Sequence, residues 1–227
     1  MGISEEFYAF GLADLERRTE WPGEEAGYAL PCGSLAFLEG CVRRLEIHRV
    51  FEFGSGASTR LFLRLGCRLT CLEDGRQWLD QTLASVTGPE RRHVREICEP
   101  LRGVWCGAIP CQGWRLSPAM IDDLREAQLV LVDSPAYPPF REAALVQALT
   151  LAPGALVVLD DLRIPTLRRF SDRIAAQSPG LLYRVIERDH HLGIFCRPAT
   201  ARLRNRHGLM EWAKGVRRFV QAERISG

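Results

Sequence analysis

The 227-residue sequence lacks the cysteine spacing of a zinc site. Its eight cysteines include no C-x-x-C pair, and no histidine lies near the closest spacings, Cys67/Cys71 and Cys106/Cys111. Structural zinc sites need four Cys or His ligands, usually in closely spaced pairs. Several cysteines stand instead in apolar runs, where a free thiol packs as a small hydrophobic group. The sequence therefore predicts buried, reduced thiols.

Long apolar runs and an excess of one charge sign are also missing. No stretch approaches the ~18–20 apolar residues that a transmembrane helix needs. The first six residues end in two acids and lack the basic and apolar regions of a signal peptide. Thirty basic against 28 acidic residues leave a net charge of +2, which by itself implies neither a nucleic-acid nor a membrane partner. We expect a soluble, cytoplasmic, single-domain protein, long enough to bury a three-layer core.

A glycine turn is the most informative feature that is present. Residues 50–59 read V-F-E-F-G-S-G-A-S-T, and 19 positions after Gly54 a second apolar run ends in Glu73. In open α/β sheets this arrangement holds a nucleoside, because glycines let the backbone approach the ligand and the acid accepts from ribose hydroxyls. The third glycine of the dinucleotide fingerprint falls on Thr59, and Glu52 would repel a phosphate but suit a cationic ligand such as S-adenosylmethionine (SAM). The alternative is an ordinary turn that needs glycine only for positive φ, which leaves Glu73 unexplained.

Apolar runs alternate with helical patterns along the rest of the chain. Strands are predicted at 48–53, 68–72, 94–98, 129–132, 155–159, 182–188 and 193–196, and helices at 58–65, 75–86, 121–126, 139–151 and 165–177. Residues 99–118 show no clean periodicity. We predict an α/β fold with a doubly wound, mostly parallel, seven-stranded Rossmann-like sheet, an antiparallel last strand, an N-terminal helical extension and a C-terminal helix.

Acids follow four of the predicted strands. They are Glu52, Glu73, Asp133 and the pair Asp160-Asp161. The carboxyl ends of parallel strands meet at one edge of a sheet, where open α/β folds bind their ligands. These acids would repel one another unless a cation lies among them. That cation could be the SAM sulfonium, a bound metal ion, or the side chains of Arg141 and Arg163.

These motifs resemble class I SAM-dependent methyltransferases, in particular a small bacterial branch with an E-F-G-S-G-x-S-T first motif. The resemblance covers about residues 30–197 and continues through Glu73 with Trp78, D-S-P at 133–135, where the family usually has Gly in place of Ser, and D-D-x-R at 160–163. It implies that SAM is bound by the turn and by Glu73 at the ribose hydroxyls. The candidate cofactor-binding residues are Glu52, Gly54, Ser55, Gly56, Ser58, Thr59, Glu73 and Asp133.

Related methyltransferases of the catechol type hold Mg²⁺ with an Asp after the fourth strand and an Asp-Asn pair after the fifth. Asp133, Asp160 and Asp161 stand at the matching positions, so the resemblance makes them candidate Mg²⁺ ligands. Such an ion would polarise a bound hydroxyl. The lysine that usually accompanies the catalytic site of those enzymes is missing. The alternative is that Asp160 caps the next helix while Asp161 pairs with Arg163.

We expect a SAM-dependent methyltransferase that acts on a small molecule at oxygen, with Asp133 and Asp160 as the candidate catalytic residues. One alternative is a nucleic-acid methyltransferase that uses the basic C-terminus, although we do not expect nucleic acid to be the partner. Another is a SAM-binding protein without turnover. Two smaller signals concern the acceptor. Tyr137-Pro138-Pro139 could form a wall of its pocket or an ordinary loop, and His190-His191 could supply a base, although a solvated hairpin turn is favoured.

Three segments are predicted. Residues 1–47 form a helical extension on the acceptor side, residues 48–197 the SAM-binding domain, and residues 198–227 a basic C-terminal helix with six Arg and one Lys against two Glu. The apolar positions 209, 212, 213, 216, 219 and 220 of that helix favour packing on the domain or on a second subunit, as a homo-oligomer, over contact with a membrane or an acidic partner. Trp105 and Trp114 could belong to a lid or to the core.

Overall fold

The computed structural model describes residues 2–21, 30–106, 109–135, 141–204 and 209–225. The strands of the main sheet are β1 (Arg49–Phe53), β2 (Arg68–Glu73), β3 (Val94–Cys98), β6 (Leu129–Val132), β7 (Leu156–Leu159), β8 (Leu182–Ile186) and β9 (Leu192–Cys196), and a separate hairpin consists of β4 (Arg102–Cys106) and β5 (Ile109–Gly113). The helices are α1 (Leu12–Arg18), preceded by a π-helical turn at Phe7–Gly11, α2 (Cys32–Arg44), α3 (Ala57–Arg64), α4 (Arg76–Ala84), α5 (Gly88–Arg91), α6 (Pro118–Glu126), α7 (Arg141–Leu151), α8 (Pro165–Gln177) and α9 (Leu209–Ile225).

The seven-stranded sheet confirms the predicted fold class. Its strand order is β3-β2-β1-β6-β7-β9-β8. The first five of these strands are parallel, whereas β9 runs antiparallel to both β7 and β8. The chain winds outward from β1 in one direction and from β6 in the other, so the topological switch point lies between these two strands. In open α/β sheets a ligand crevice forms at this point, beyond the carboxyl ends of the strands.

Alternate residues of the central strands face two separate apolar cores. On one face Val50, Leu129 and Val158 belong to a core shared with α1 to α4, and on the other Phe51, Val130 and Leu159 belong to a core shared with α6 to α8 and the hairpin. Because both faces are covered, the strands are apolar along their whole length, as parallel strands usually are. The result is three layers with a buried sheet in the middle.

The hairpin was not predicted from the sequence, and neither was the short helix α5. Short strands containing Gly103, Pro110 and Gly113 carry neither a clear alternation nor a strong β propensity. Trp114 follows the hairpin and is fully buried against Phe53, with ring centroids 5.6 Å apart, whereas Trp105 is 61% exposed. Of the two tryptophans, therefore, only Trp114 is a core residue.

Helix α9 packs on this hairpin. The rings of Phe219 and Trp105 lie 5.7 Å apart, and a Cβ at Gly103 would come within 2.8 Å of the Phe219 ring. Arg218 approaches Glu142 of α7 at 3.9 Å. Part of the apolar stripe of the C-terminal helix is thus used within the chain, while Trp212 and Val220 remain exposed. The division into three segments stays a prediction.

Among the helices that the structure describes, none combines the length and the apolarity that a bilayer crossing demands.

Gly215 is the position at which we expect the docking of α9 to be most sensitive. It is buried, and a Cβ there would clash with the backbone carbonyl oxygen of Pro110. Gly215→Ala should lower the melting temperature, although alanine favours a helix by about 1 kcal/mol over glycine. Gly88→Ala is the control, because a Cβ at that helical glycine meets nothing within 4 Å. Equal melting temperatures for Gly215→Ala and the wild type would show that this contact is not needed.

Candidate functional site

The glycine turn and the loop after β6 meet at the switch point. The backbone N–H of Gly54 donates to Leu72 at 2.8 Å, and that of Asp133 donates to Phe53 at 2.9 Å. Gly54 has φ +113°, and a Cβ there would lie 2.9 Å from the Cβ of Ser134. Only glycine combines this backbone conformation with so close an approach. The first glycine is therefore required to bring the two loops together.

Glu52 lies fully buried beneath the turn. Its carboxylate accepts hydrogen bonds from the hydroxyls of Ser58 and Thr59, the latter at 2.6 Å, and Thr59 Oγ1 also accepts from the Gly56 N–H at 2.9 Å. Burial raises the pKa of Glu52 to about 7, and the two hydroxyl donors oppose that rise. The acid, the two hydroxyls and the turn form one buried network. The cofactor-binding role predicted for these three residues stays a prediction, and what the structure places here is a support for the turn.

Glu73 lies at the carboxyl end of β2 and is 5% exposed. One carboxylate oxygen accepts from the backbone N–H groups of Asp74 and Gly75 at 3.0 and 3.2 Å, and the other accepts from Ser55 Oγ at 3.0 Å. Burial raises the pKa of Glu73 to about 7. The bond from Ser55 shows that Oε2 is positioned to receive a hydroxyl donor from the side of the glycine turn.

A cleft of about 240 Å³ lies beside the turn. Its lining includes Ser55, Gly56, Trp78 and Asp133. The indole N–H of Trp78 donates to the carbonyl oxygen of Ser55 at 2.5 Å, so this half-exposed ring is fixed against the turn. A Cβ added at Gly56 would meet nothing within 4 Å, because it would project into open space. The second glycine therefore leaves room over the turn.

The guanidinium of Arg141 lies among the three aspartates that follow β6 and β7. Its Nη1 is 3.2 Å from Asp133 Oδ1, 3.1 Å from Asp161 Oδ2 and 3.9 Å from Asp160 Oδ2. Arg141 is 4% exposed, and its Nε donates to the carbonyl oxygen of Pro135 at 3.2 Å. Arg163 approaches Asp161 at 3.6 Å from the solvent side. Arginine is thus the cation that the acid cluster needs.

Burial and mutual repulsion perturb this cluster. Burial raises the pKa of Asp133 well above its usual range, Arg141 opposes that rise, and the neighbouring Asp160 and Asp161 reinforce it. Burial likewise raises the pKa of Asp161, and Asp160 adds to the effect. Strongly perturbed carboxyls beside a cleft are typical of functional sites. Asp133 is the member of the cluster that reaches the cleft wall.

His190 also belongs to the cluster, contrary to the solvated turn that the sequence favoured. It is 3% exposed, with Nδ1 3.3 Å from Asp160 Oδ2 and 3.5 Å from Asp161 Oδ1. The hydrogen bond with Asp160 raises the pKa of His190. Nε2 of His190 and Oδ1 of Asp160 have no hydrogen-bond partner among the described residues. Because β9 runs antiparallel to β7, its first residues lie at the carboxyl edge of the sheet. The antiparallel last strand predicted from the sequence could therefore have indicated that His190 lies near Asp160.

The turn that carries His190 is held under backbone strain. Asp189, His191 and the facing Asp161 have φ values of +50°, +59° and +64°, a conformation that costs non-glycine residues energy. The backbone N–H of Ser34 in α2 donates to Asp189 Oδ2 at 3.2 Å. A Cβ at Gly33 would lie 2.5 Å from that same oxygen. The N-terminal extension is therefore joined to the acid cluster through this turn.

The residues present fit the SAM implied by the resemblance. Glu73 Oε2 is oriented toward hydroxyl donors, and Gly56 leaves open space above the turn. Asp160, Asp161 and His190 each bring one donor atom to within 4.8 Å of the others, a spacing that a metal ion could bridge. The three aspartates predicted as Mg²⁺ ligands nevertheless do not fit that ion, because Arg141 already lies within 4 Å of all of them. Of the alternative roles, the ion pair of Asp161 with Arg163 is present, but α8 begins after Ile164 without a side-chain cap, so Asp160 is not its cap.

The predicted site residues therefore fall into three groups within the described chain. Ser55, Gly56 and Asp133 line the cleft, and Glu73 accepts a hydrogen bond from Ser55. Gly54 brings the two loops together, and Glu52, Ser58 and Thr59 form the buried network of the turn. Asp160 and Asp161 lie with Arg141 and His190. Tyr137-Pro138-Pro139 lies outside the described residues.

Comparison with known proteins supports the fold. No protein-family model matches the sequence, and no curated protein matches it either. Solved structures do match. A methyltransferase from Geobacter sulfurreducens aligns with a TM-score of 0.54 and 12% identity over 86% of this chain and 91% of its own. An O-methyltransferase from Bacillus cereus in complex with SAH aligns with a TM-score of 0.52 and 15% identity, over 85% of this chain and 91% of its own. An SAH-bound methyltransferase from Podospora anserina aligns with a TM-score of 0.51 and 13% identity, over 87% of this chain and 89% of its own. At these identities the similarity shows the fold: a Rossmann-like methyltransferase fold.

The buried Glu52 should make stability depend on pH. Its folded pKa of about 7 exceeds the reference value of 4.5, so between these values the folded state holds a proton that the unfolded state has released. The free energy of unfolding should therefore fall as pH rises through this window, by up to about 3 kcal/mol from this residue. Glu52→Gln should flatten that fall in urea unfolding measured at a series of pH values. Glu187→Gln, at a largely exposed side chain, is the control and should keep the wild-type slope. An unchanged slope in Glu52→Gln would contradict the assignment.

Proposed function

We propose that this protein transfers a methyl group from SAM to an oxygen atom of a small-molecule acceptor. The observation that carries the proposal is the joining of three features at the switch point: a glycine turn with open space above it, the buried Glu73 with a hydroxyl-accepting oxygen, and a perturbed aspartate in the cleft wall. The sequence motifs resemble class I methyltransferases, and the two structural neighbours that contain SAH support the same cofactor.

Each site residue has a distinct role in this proposal. Glu73 accepts from the ribose hydroxyls in the way that it accepts from Ser55. Gly54, Ser55 and Gly56 lie against the methionine part of SAM, and Glu52 with Ser58 and Thr59 fixes the shape of that turn. Because SAM supplies an activated methyl group, the protein has to bind, align and desolvate the reactants.

The acceptor is proposed to lie over the carboxyl edge, between Asp133, Asp160 and the N-terminal helices. Asp133 is suited to take the proton of the acceptor hydroxyl, because it lines the cleft and burial raises its pKa toward that of a useful base. Asp160 is deeper, and its free Oδ1 gives it a second candidate role at the acceptor. Both remain the proposed catalytic residues. Magnesium has no place in the proposal, because Arg141 holds the position among the aspartates.

A small molecule is proposed over nucleic acid, and the packing of α9 is the reason. An RNA-binding arm needs free basic groups along its length, whereas Phe219 of this helix packs on the hairpin and Arg218 approaches Glu142. A homo-oligomer formed through α9 stays a prediction, for which the exposed Trp212 and Val220 provide an apolar surface. A cytoplasmic location likewise stays a prediction.

Calorimetry with SAM tests the proposal directly. The wild type should bind SAM, and Glu73→Ala should weaken binding by about 1.5–3 kcal/mol, the range for losing a charge-assisted hydrogen bond. Glu187→Ala is the matched control, because it also removes an acid, but from an exposed side chain that does not line the cleft. A wild type that binds NAD but not SAM would exclude the proposed cofactor. Loss of affinity in both variants alike would assign the effect to overall charge and not to Glu73.

A further inference from the structure

The position of Arg141 within the acid cluster is fixed by its own helix. Arg141 is the first residue of α7, whose next turn, with Ala143 and Ala144, is buried in the core. Its Nε donates to the carbonyl oxygen of Pro135, in the loop that follows β6. The guanidinium is thus attached to the helix on one side and to the Asp133 loop on the other. It cannot leave the cluster without disturbing both.

The charges of the cluster come close to balance without an added ion. Asp133, Asp160 and Asp161 bring three carboxylates to one place, and Arg141 and Arg163 lie within ion-pair distance of them. His190 contacts two of the three carboxylates through Nδ1. Buried charges are stable only when they are paired and hydrogen-bonded. The protein therefore provides the compensating charge from its own side chains.

The guanidinium has hydrogen-bonding capacity that the cluster does not use. Although Nη1 of Arg141 lies 3.1 to 3.9 Å from the three carboxylates, it makes no well-aligned hydrogen bond with any described acceptor. Buried donors of this kind are rarely left unpaired in folded proteins. The charge of the guanidinium, more than its hydrogen bonds, therefore accounts for its position among the carboxylates.

A divalent ion would have to share this space with a fixed positive charge. Mg²⁺ requires near-octahedral oxygen ligands at about 2.0–2.1 Å, and here its candidate ligands face the guanidinium. We infer that Arg141 takes the place that a metal ion holds in catechol-type methyltransferases, so that the acid cluster binds divalent metals only weakly. This inference does not rest on the proposed function.

Binding of Mn²⁺, followed by electron paramagnetic resonance on the full chain, tests the inference. Mn²⁺ prefers the same hard oxygen ligands as Mg²⁺ and gives a direct signal. The wild type and Arg141→Lys, which keeps the positive charge, should bind Mn²⁺ only weakly. Arg141→Met, which keeps the length and removes the charge, should bind it at least roughly tenfold more tightly. Adding Asp161→Asn to Arg141→Met should abolish the gain and so locate the ion at the cluster.

Arg163→Met is the matched control, because it removes the other arginine near Asp161 from a partly exposed position. It should leave Mn²⁺ binding near the wild-type level. Tight Mn²⁺ binding by the wild type that Asp161→Asn removes would overturn the inference, even if Arg141→Met does not fold. So would an Arg141→Met protein that folds and gains no affinity. These measurements need neither SAM nor an acceptor, so failure of SAM binding in calorimetry would remove the proposed function and leave this result standing.

Discussion

Charge compensation at the carboxyl edge of the sheet is the constraint on which the rest of the site depends. Parallel strands deliver Asp133 and Asp160 to neighbouring positions, and the bond from the Asp160 N–H to Val132 keeps them there. Two buried carboxylates, with Asp161 beside them, would oppose folding if they stood alone. Arg141 resolves this conflict from the start of α7. The position of that helix, and of the loop before it, is therefore tied to the electrostatics of the edge.

The fold could be predicted because its signals are local and repeated. Buried strands such as 129–132 and 156–159 appear as continuous apolar runs, and each is followed by an acid. The helix between them ends at Leu151, just before Pro153-Gly154. The turn at Gly54 could be predicted as well, because its glycines follow an apolar run directly. The structure shows why the first glycine is needed: its backbone conformation and its closeness to Ser134 leave no room for a side chain. The hairpin at 102–113 could not, because its stability comes from Phe219 and from α7, elements far away in sequence.

The sequence predicted which residues belong to the candidate site better than it predicted how they are arranged. Sequence spacing placed the acids at one edge and named Arg141 among three kinds of cation that could lie there. It could not choose between them, because the choice depends on where a side chain from α7 points after packing. His190 was missed for a related reason. Its burial follows from the antiparallel return of β9 to the end of β7, and a histidine in a short turn between two strands looks solvent-exposed until that pairing is known.

The contact between Asp189 and the start of α2 has a consequence for how this protein can change. Asp189 leaves no room for a side chain at Gly33, and it accepts the N–H of Ser34. A helical segment taken from another protein and grafted in place of the first 47 residues would have to supply a glycine and a free N–H at the same two positions. Substitutions at positions 33 and 189 should accordingly occur together. Recombination between relatives should succeed only when the segment with position 33 and the segment with position 189 come from the same protein.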